Sequence, residues 1–174
     1  YGQTRYDVSF FGARRMAKLH LITYGCQMNE YDSERVAGLL REQQYELTDD
    51  ARAADLILLN TCAIREKAEE KVFSKLGELK SLKHRRPDVV LGVMGCMAPL
   101  HHAAIRTRAP YVDLVFGSTA IARVGELVER VRRDRAPVVD TAEAPLVKIT
   151  ARPAESSRLR AYVTVMEGCE KHCT

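Results

Sequence analysis

The sequence contains no tryptophan, and aromatic residues fill only 6% of its 174 positions. A surface that reads nucleic acid by stacking bases on rows of rings is therefore not expected. No run approaches the roughly 18 apolar residues of a membrane span, so no membrane association is expected. Residues 1–17 include Phe10 and Phe11 but no sustained apolar stretch and no small-residue cleavage site, and so do not read as a secretory signal. Neither G-x-G-x-x-G nor a P-loop is present, which weighs against a flavin or nucleotide held on a glycine-rich phosphate loop. A dense short-range cysteine framework is also missing, and the cysteine count of 5 is odd. These absences point to a cytoplasmic protein, where thiols stay reduced and grouped cysteines bind metal or do catalysis. The net charge of +4 is compatible with an anionic partner such as RNA, but an ordinary solvated surface explains it more simply.

What is present is a regular alternation of apolar runs and amphipathic segments. Residues 1–17 read as a flexible extension rich in Arg and Gly. Lys18-Leu19-His20-Leu21-Ile22-Thr23-Tyr24 is β-prone and ends at Gly25-Cys26. A helix is expected from Asn29 onward, with Val36, Leu39 and Leu40 on its apolar face. Asp55-Leu56-Ile57-Leu58-Leu59-Asn60 is nearly all apolar, as expected of a strand buried on both faces of a parallel sheet. A long charged helix follows, with Ala68, Val72, Leu76 and Leu79 on one stripe. Val89 to Met94 forms a third strand ending at Gly95-Cys96, and a helix over Met97–Thr107 tolerates Pro99 in its first turn. Tyr111–Phe116 supplies a fourth strand. Ser118 is expected to cap a helix carrying Ile121, Val124, Leu127, Val128 and Val131, and Pro137-Val138-Val139 to form a short edge strand. The periodicity then fades through 140–158, where Pro145, Pro153, Ser156 and Ser157 mark a linker. A new strand, residues 159–166, leads into Gly168-Cys169 before the sequence stops at Thr174. The fold expected is α/β: a doubly wound, mostly parallel sheet over 18–139 with helices on both faces, then the truncated start of a second domain over 159–174.

The cysteines fall into two unlike groups. Cys26, Cys62 and Cys96 each follow directly on an apolar run. In open parallel sheets ligands bind outside the carboxyl ends of the strands, so all three should point out of one edge. Each is also expected near a helix N-terminus, whose partial positive charge favours thiolate. Gly25 and Gly95 should let the backbone approach a bulky inorganic group. Thr61 carries a hydroxyl that could bond a cluster sulfide. Any one such cysteine reads as an inert buried thiol, but three in one topological slot read as metal ligands. Three thiolates around a 4Fe–4S cluster leave one iron open to an outside ligand. The second group, Cys169 and Cys173, forms a Cys-x-x-x-Cys with His172 inside it, which by itself also fits half a zinc site.

Thr23-Tyr24-Gly25-Cys26-Gln27-Met28-Asn29 with Asp32-Ser33-Glu34, then Asn60-Thr61-Cys62-Ala63-Ile64-Arg65-Glu66-Lys67-Ala68, then Gly95-Cys96-Met97-Ala98, together resemble the N-terminal domain of the radical S-adenosylmethionine methylthiotransferases. Ala109-Pro110-Tyr111-Val112-Asp113 with Phe116-Gly117 adds to the match, which runs from about residue 18 to the end. Around Cys26 and Cys62 the sequence is similar to the MiaB-type branch, which places a methylthio group on C2 of N6-isopentenyladenosine beside the tRNA anticodon. The resemblance implies that Cys26, Cys62 and Cys96 bind an auxiliary 4Fe–4S cluster. It implies that Cys169 and Cys173 are the first two ligands of a second 4Fe–4S cluster, of the motif Cys-x-x-x-Cys-x-x-Cys, which binds S-adenosylmethionine at the start of a radical barrel. The third ligand of that motif would fall two residues beyond Thr174. Pro99-Leu100-His101-His102 departs from the charged residues usual there, and the His pair adds a small prospect of further metal binding.

The implied chemistry suits the substrate. An adenine C2–H is too weakly acidic for an ordinary base, whereas a deoxyadenosyl radical abstracts the hydrogen, and the protein's task is placement and exclusion of water. A base in an anticodon loop is easily unstacked. Partners implied are tRNA and a reductant such as a flavodoxin or ferredoxin, with the stretch from Tyr1 to Thr174 expected to be monomeric and inactive alone. The rival readings are a zinc or thiol-redox module on a flavodoxin-like sheet, and a methylthiotransferase acting on threonylcarbamoyladenosine or a ribosomal protein.

Overall fold

A computed structural model describes residues 15–62 and 66–142, the side chains of 66–69 apart. The second cysteine group, Cys169 and Cys173, lies outside the described residues, as do most of the expected linker and the whole expected start of a second domain through Thr174. The extension before Arg15 lies outside them too. In order come β1 (Ala17–Tyr24), α1 (Gln27–Glu42), β2 (Tyr45–Leu47), β3 (Leu56–Thr61), α2 (Glu66–Arg85), β4 (Val90–Met94), α3 (Met97–Arg108) and β5 (Leu114–Phe116). A 3-10 turn (Ser118–Arg123), α4 (Val124–Asp134) and β6 (Val138–Asp140) complete them.

The strands form one sheet in the order β2-β1-β3-β4-β5-β6, every pair parallel. The apolar runs explain why. Leu56, Ile57, Leu58 and Leu59 of β3 are all at most 1% exposed, so this strand must be covered on both faces. Its side chains alternate between two cores. Leu56 and Leu58 pack with Val36 and Leu40 of α1 and Leu127 and Val128 of α4. Ile57 and Leu59 pack with Val72 and Leu76 of α2 and Met97 and Ile105 of α3. The expected doubly wound α/β sheet with helices on both faces is therefore the observed one. Winding reverses between β1 and β3, the place where such sheets open a crevice at their carboxyl edge.

Four local expectations change. A strand at Tyr45–Leu47 lies outside the expected set; only Tyr45 of it is buried, so it leaves no apolar run. The first helix begins at Gln27, two residues before the expected Asn29, because Cys26 itself is the N-cap. The fourth strand shortens to Leu114–Phe116, and the carboxylate of Asp113, just before it, accepts a 2.8 Å hydrogen bond from Leu91 N–H. Ser118 does not cap an α-helix: it opens the 3-10 turn, and its hydroxyl donates to Asp32 at 2.9 Å.

At the amino edge of the sheet, Asp55 ties β1 to β3. Its carboxylate accepts from Lys18 N–H at 2.8 Å and pairs with Arg15 at 3.2 Å and Arg86 at 3.5 Å. Burial alone would raise its pKa, but the Lys18 hydrogen bond and the two guanidinium groups outweigh that and lower it from 3.8. A lowered folded-state pKa means stability that is present above 3.8 and lost as pH falls through the folded value. Asp55→Ala should accordingly lower the urea midpoint at neutral pH, and its deficit against the native chain should shrink as acid unfolding is followed below that pH.

Candidate metal centre at the sheet edge

Cys26 follows β1, Cys62 follows β3 and Cys96 follows β4. These strands are neighbours and run the same way, so the three cysteines arrive together at the carboxyl edge, beside the point where winding reverses. Cys26 and Cys96 are exposed, and Cys62 sits deeper at 5% exposure. Cys62 N–H donates to Tyr24 O at 3.0 Å, which extends the β1–β3 pairing right up to the cysteine turns.

A buried polar cluster joins those turns. Asn29, in the first turn of α1, and Asn60, near the end of β3, are both fully buried. Asn29 Nδ2 donates to Asn60 Oδ1 at 3.1 Å, and Asn60 Nδ2 donates to Asn29 O at 2.7 Å and to Ser33 Oγ at 2.9 Å. Ser33 Oγ also meets Thr23 Oγ1 at 2.8 Å. Asn29 Oδ1 accepts from Cys26 N–H at 3.2 Å and from the Cys26 thiol at 3.5 Å. Each glycine before a cysteine is shaped by this cluster. A Cβ on Gly25 would strike the Asn29 carboxamide, and one on Gly95 would strike Asn60 Oδ1 and stand 2.7 Å from Thr61 O. Gly95 also has φ +96°, a left-handed value that favours glycine. The room these glycines leave on their Cβ side is thus taken up by two amides.

The electrostatics of Cys96 tie the sulfurs together. Its thiol opens to solvent on one side, yet protein packed on the other pushes its pKa above 9.0, and the negative charges that Cys62, Asp32 and Cys26 can carry push it further. This reverses the thiolate expected of it at a helix N-terminus: with three acidic groups so close, burial and mutual repulsion beat the helix dipole. A positively charged group bound by the thiolates would offset that repulsion, which is the electrostatic fit of this donor set to a multi-iron group. The Thr61 hydroxyl, by contrast, is fully buried and donates to Cys62 O at 3.4 Å, so it does not face the edge as expected.

Among the described residues, no three His, Cys, Asp or Glu side chains converge closely enough to hold a single ion. A cubane asks for something different, since each of its thiolates binds a separate iron. Of the His pair, the His102 ring donates to Pro99 O at 3.1 Å. Reasoning by residue type misses Asn29, Asn60, Asp32 and Ser118 as parts of this edge. Asp32 is buried, pairs with Arg35 at 3.6 Å and receives the Ser118 hydroxyl, which anchors the turn after β5 to α1.

A family model described as "Uncharacterized protein family UPF0004" matches residues 18–117. A curated protein of Enterobacter sp. (strain 638) named tRNA-2-methylthio-N(6)-dimethylallyladenosine synthase is 51% identical over 90% of this chain and 34% of its own length. Proteins of the same name from Pseudomonas paraeruginosa and Escherichia coli O1:K1 / APEC are 52% and 50% identical over the same share of the chain, covering 36% and 34% of their lengths. The chain spans about a third of the length of the curated relatives it matches.

Two measurements check this geometry. Gly95→Ala should destabilise the chain by at least roughly 1–3 kcal/mol in urea titration, from the left-handed backbone alone, with the Asn60 contact adding to it. Alkylation of Cys96 by iodoacetamide should reach half its maximal rate above pH 9.0, because only the thiolate reacts.

Proposed function

The chain belongs to the protein family UPF0004, and on that premise we propose that it is the auxiliary-cluster domain of a tRNA methylthiotransferase acting on C2 of N6-isopentenyladenosine beside the anticodon. The observation that carries this reading is the arrival of Cys26, Cys62 and Cys96 from three adjacent parallel strands at one edge. Their thiolates would hold a 4Fe–4S cluster, a soft all-sulfur donor set that suits iron. When bound, that cluster supplies one iron without a protein ligand, to which a transferable sulfur can attach.

The chain's own residues do the placing. The Cys26 and Cys62 turns are fixed by the Cys62 N–H to Tyr24 O bond, and the Cys96 turn by the positive φ of Gly95. Cys62, deepest of the three, forms the floor, while Cys26 and Cys96 stand at the open side where a substrate base can approach. Cys169 and Cys173 would be two of the three cysteines that hold the radical cluster and, with it, S-adenosylmethionine. Only Thr174 follows Cys173 in this sequence, so the third cysteine of that set is not among its 174 residues. These residues are expected to load the auxiliary cluster and to be inactive in methylthiolation by themselves. The whole enzyme would work in the cytoplasm, drawing electrons from a flavodoxin or ferredoxin, with the domain itself monomeric. Among the described residues no helix is long and apolar enough to cross a membrane.

Anaerobic reconstitution with iron and sulfide tests the proposal. The native chain should turn brown and retain iron with acid-labile sulfide. Cys26→Ser, Cys62→Ser and Cys96→Ser should each lose the chromophore, while Cys169→Ser and Cys173→Ser should barely change it. Bound zinc without sulfide, or colour that survives loss of any rim cysteine, would contradict it.

A further inference from the structure

We propose that Asn29 and Asn60 are positioning residues for the metal centre: their paired amides hold the three cysteine turns in register and present an oxygen, not a nitrogen, to the Cys26 sulfur. The inference rests on the cluster reading above.

The polarity of the pair follows from one fixed point. The main-chain oxygen of Asn29 can only accept, so the Asn60 atom 2.7 Å from it must be the donor Nδ2. That leaves Asn60 Oδ1 facing the Asn29 side chain, whose atom at 3.1 Å must therefore be its own donor Nδ2. Asn29 Oδ1 is then forced toward Cys26, where the main-chain N–H at 3.2 Å needs an acceptor. Neither amide can turn over alone without setting like groups against each other in a buried place. The thiol proton of Cys26 now points at Asn29 Oδ1 at 3.5 Å. Once that proton leaves on metal binding, the sulfur faces an acceptor and receives no hydrogen bond from this side chain. Hydrogen bonds to cluster sulfurs are among the levers that set cluster electronics, and the Asn29 side chain supplies none to Cys26, leaving the Asn29 main-chain N–H as its capping-box partner there.

The same pair sets spacing. Asn29 lies three residues after Cys26, and Asn60 two before Cys62, while a Cβ at Gly95, just before Cys96, would collide with Asn60 Oδ1. One amide pair thus bonds the Cys26 turn, sits on the strand that leads to Cys62, and leaves no room for a side chain just before Cys96. Its members are fully buried, and apolar residues of that size would remove the bonds while keeping the packing.

The test uses the full 174-residue chain, reconstituted anaerobically and compared for iron and sulfide content and for the electron paramagnetic resonance spectrum of the reduced cluster. Asn60→Ala, shown folded by far-ultraviolet circular dichroism, should load less than half the native iron and give a shifted or broadened spectrum. If Asn60→Ala does not fold, Asn29→Ala decides by the same criteria, since it removes both the donor to Asn60 and the oxygen toward Cys26 without adding a charge. Leu19→Ala, a core change at the opposite end of β1, supplies a matched loss of stability and should load as the native chain does. Native loading and spectrum in the asparagine variant, or an equal loss of iron in Leu19→Ala, overturns the positioning role and leaves the cluster reading standing. Failure of the native chain itself to load overturns the cluster reading, and the inference with it.

Discussion

The interaction on which the carboxyl edge depends is the doubled hydrogen bond between Asn29 and Asn60. Two carboxamides are buried completely where an α/β domain normally places apolar side chains. Each unpaired amide there would cost roughly 1–3 kcal/mol, so the arrangement persists because partners are supplied: each other, one main-chain oxygen, one main-chain N–H and the Ser33 hydroxyl. The glycines at 25 and 95 are consequences of it, because a side chain at either would occupy the space of an amide.

From that constraint the chemistry of the edge follows. Parallel strands deliver the chain to one side of the molecule three times, and the amide pair stops the three turns from drifting apart. Burial first, and then the charges that Cys62, Asp32 and Cys26 can carry, push the Cys96 thiol above its ordinary range. A site that disfavours the free Cys96 thiolate gains when a positively charged group binds it. Asp32, held by Arg35 and Ser118, adds to the negative surroundings and links the turn after β5 to the same helix. The opposite edge is built on another principle, ion pairs around the partly buried Asp55, and contributes stability without chemistry.

Much of this is legible in the residues. Leu56 to Leu59 can only be a doubly covered strand, and strand-then-cysteine occurring at Cys26, Cys62 and Cys96 fixes their common edge once the strands are parallel. What is not legible depends on contacts across long stretches of chain. Asn60 reads as the polar end of a strand until Asn29 is seen against it. Strand β2 is three residues with one buried side chain, reached through Gln44 at φ 64°, so neither an apolar run nor a glycine announces it. Gly25 and Gly95 do make room, but the occupant of that room is another part of the protein. Reading Cys96 from its helix alone leaves out the burial and, after it, the neighbouring acidic groups that raise its pKa.

The central claim is that three cysteines, and no fourth protein ligand, grip one cluster at this edge. Mössbauer spectroscopy of the chain reconstituted with iron-57 addresses it most directly. The account predicts a cluster spectrum in which one iron site differs from the rest and responds alone when a small anionic ligand such as cyanide is added. Equivalent irons that ignore the added ligand, or isolated iron with no cluster signature, would contradict it.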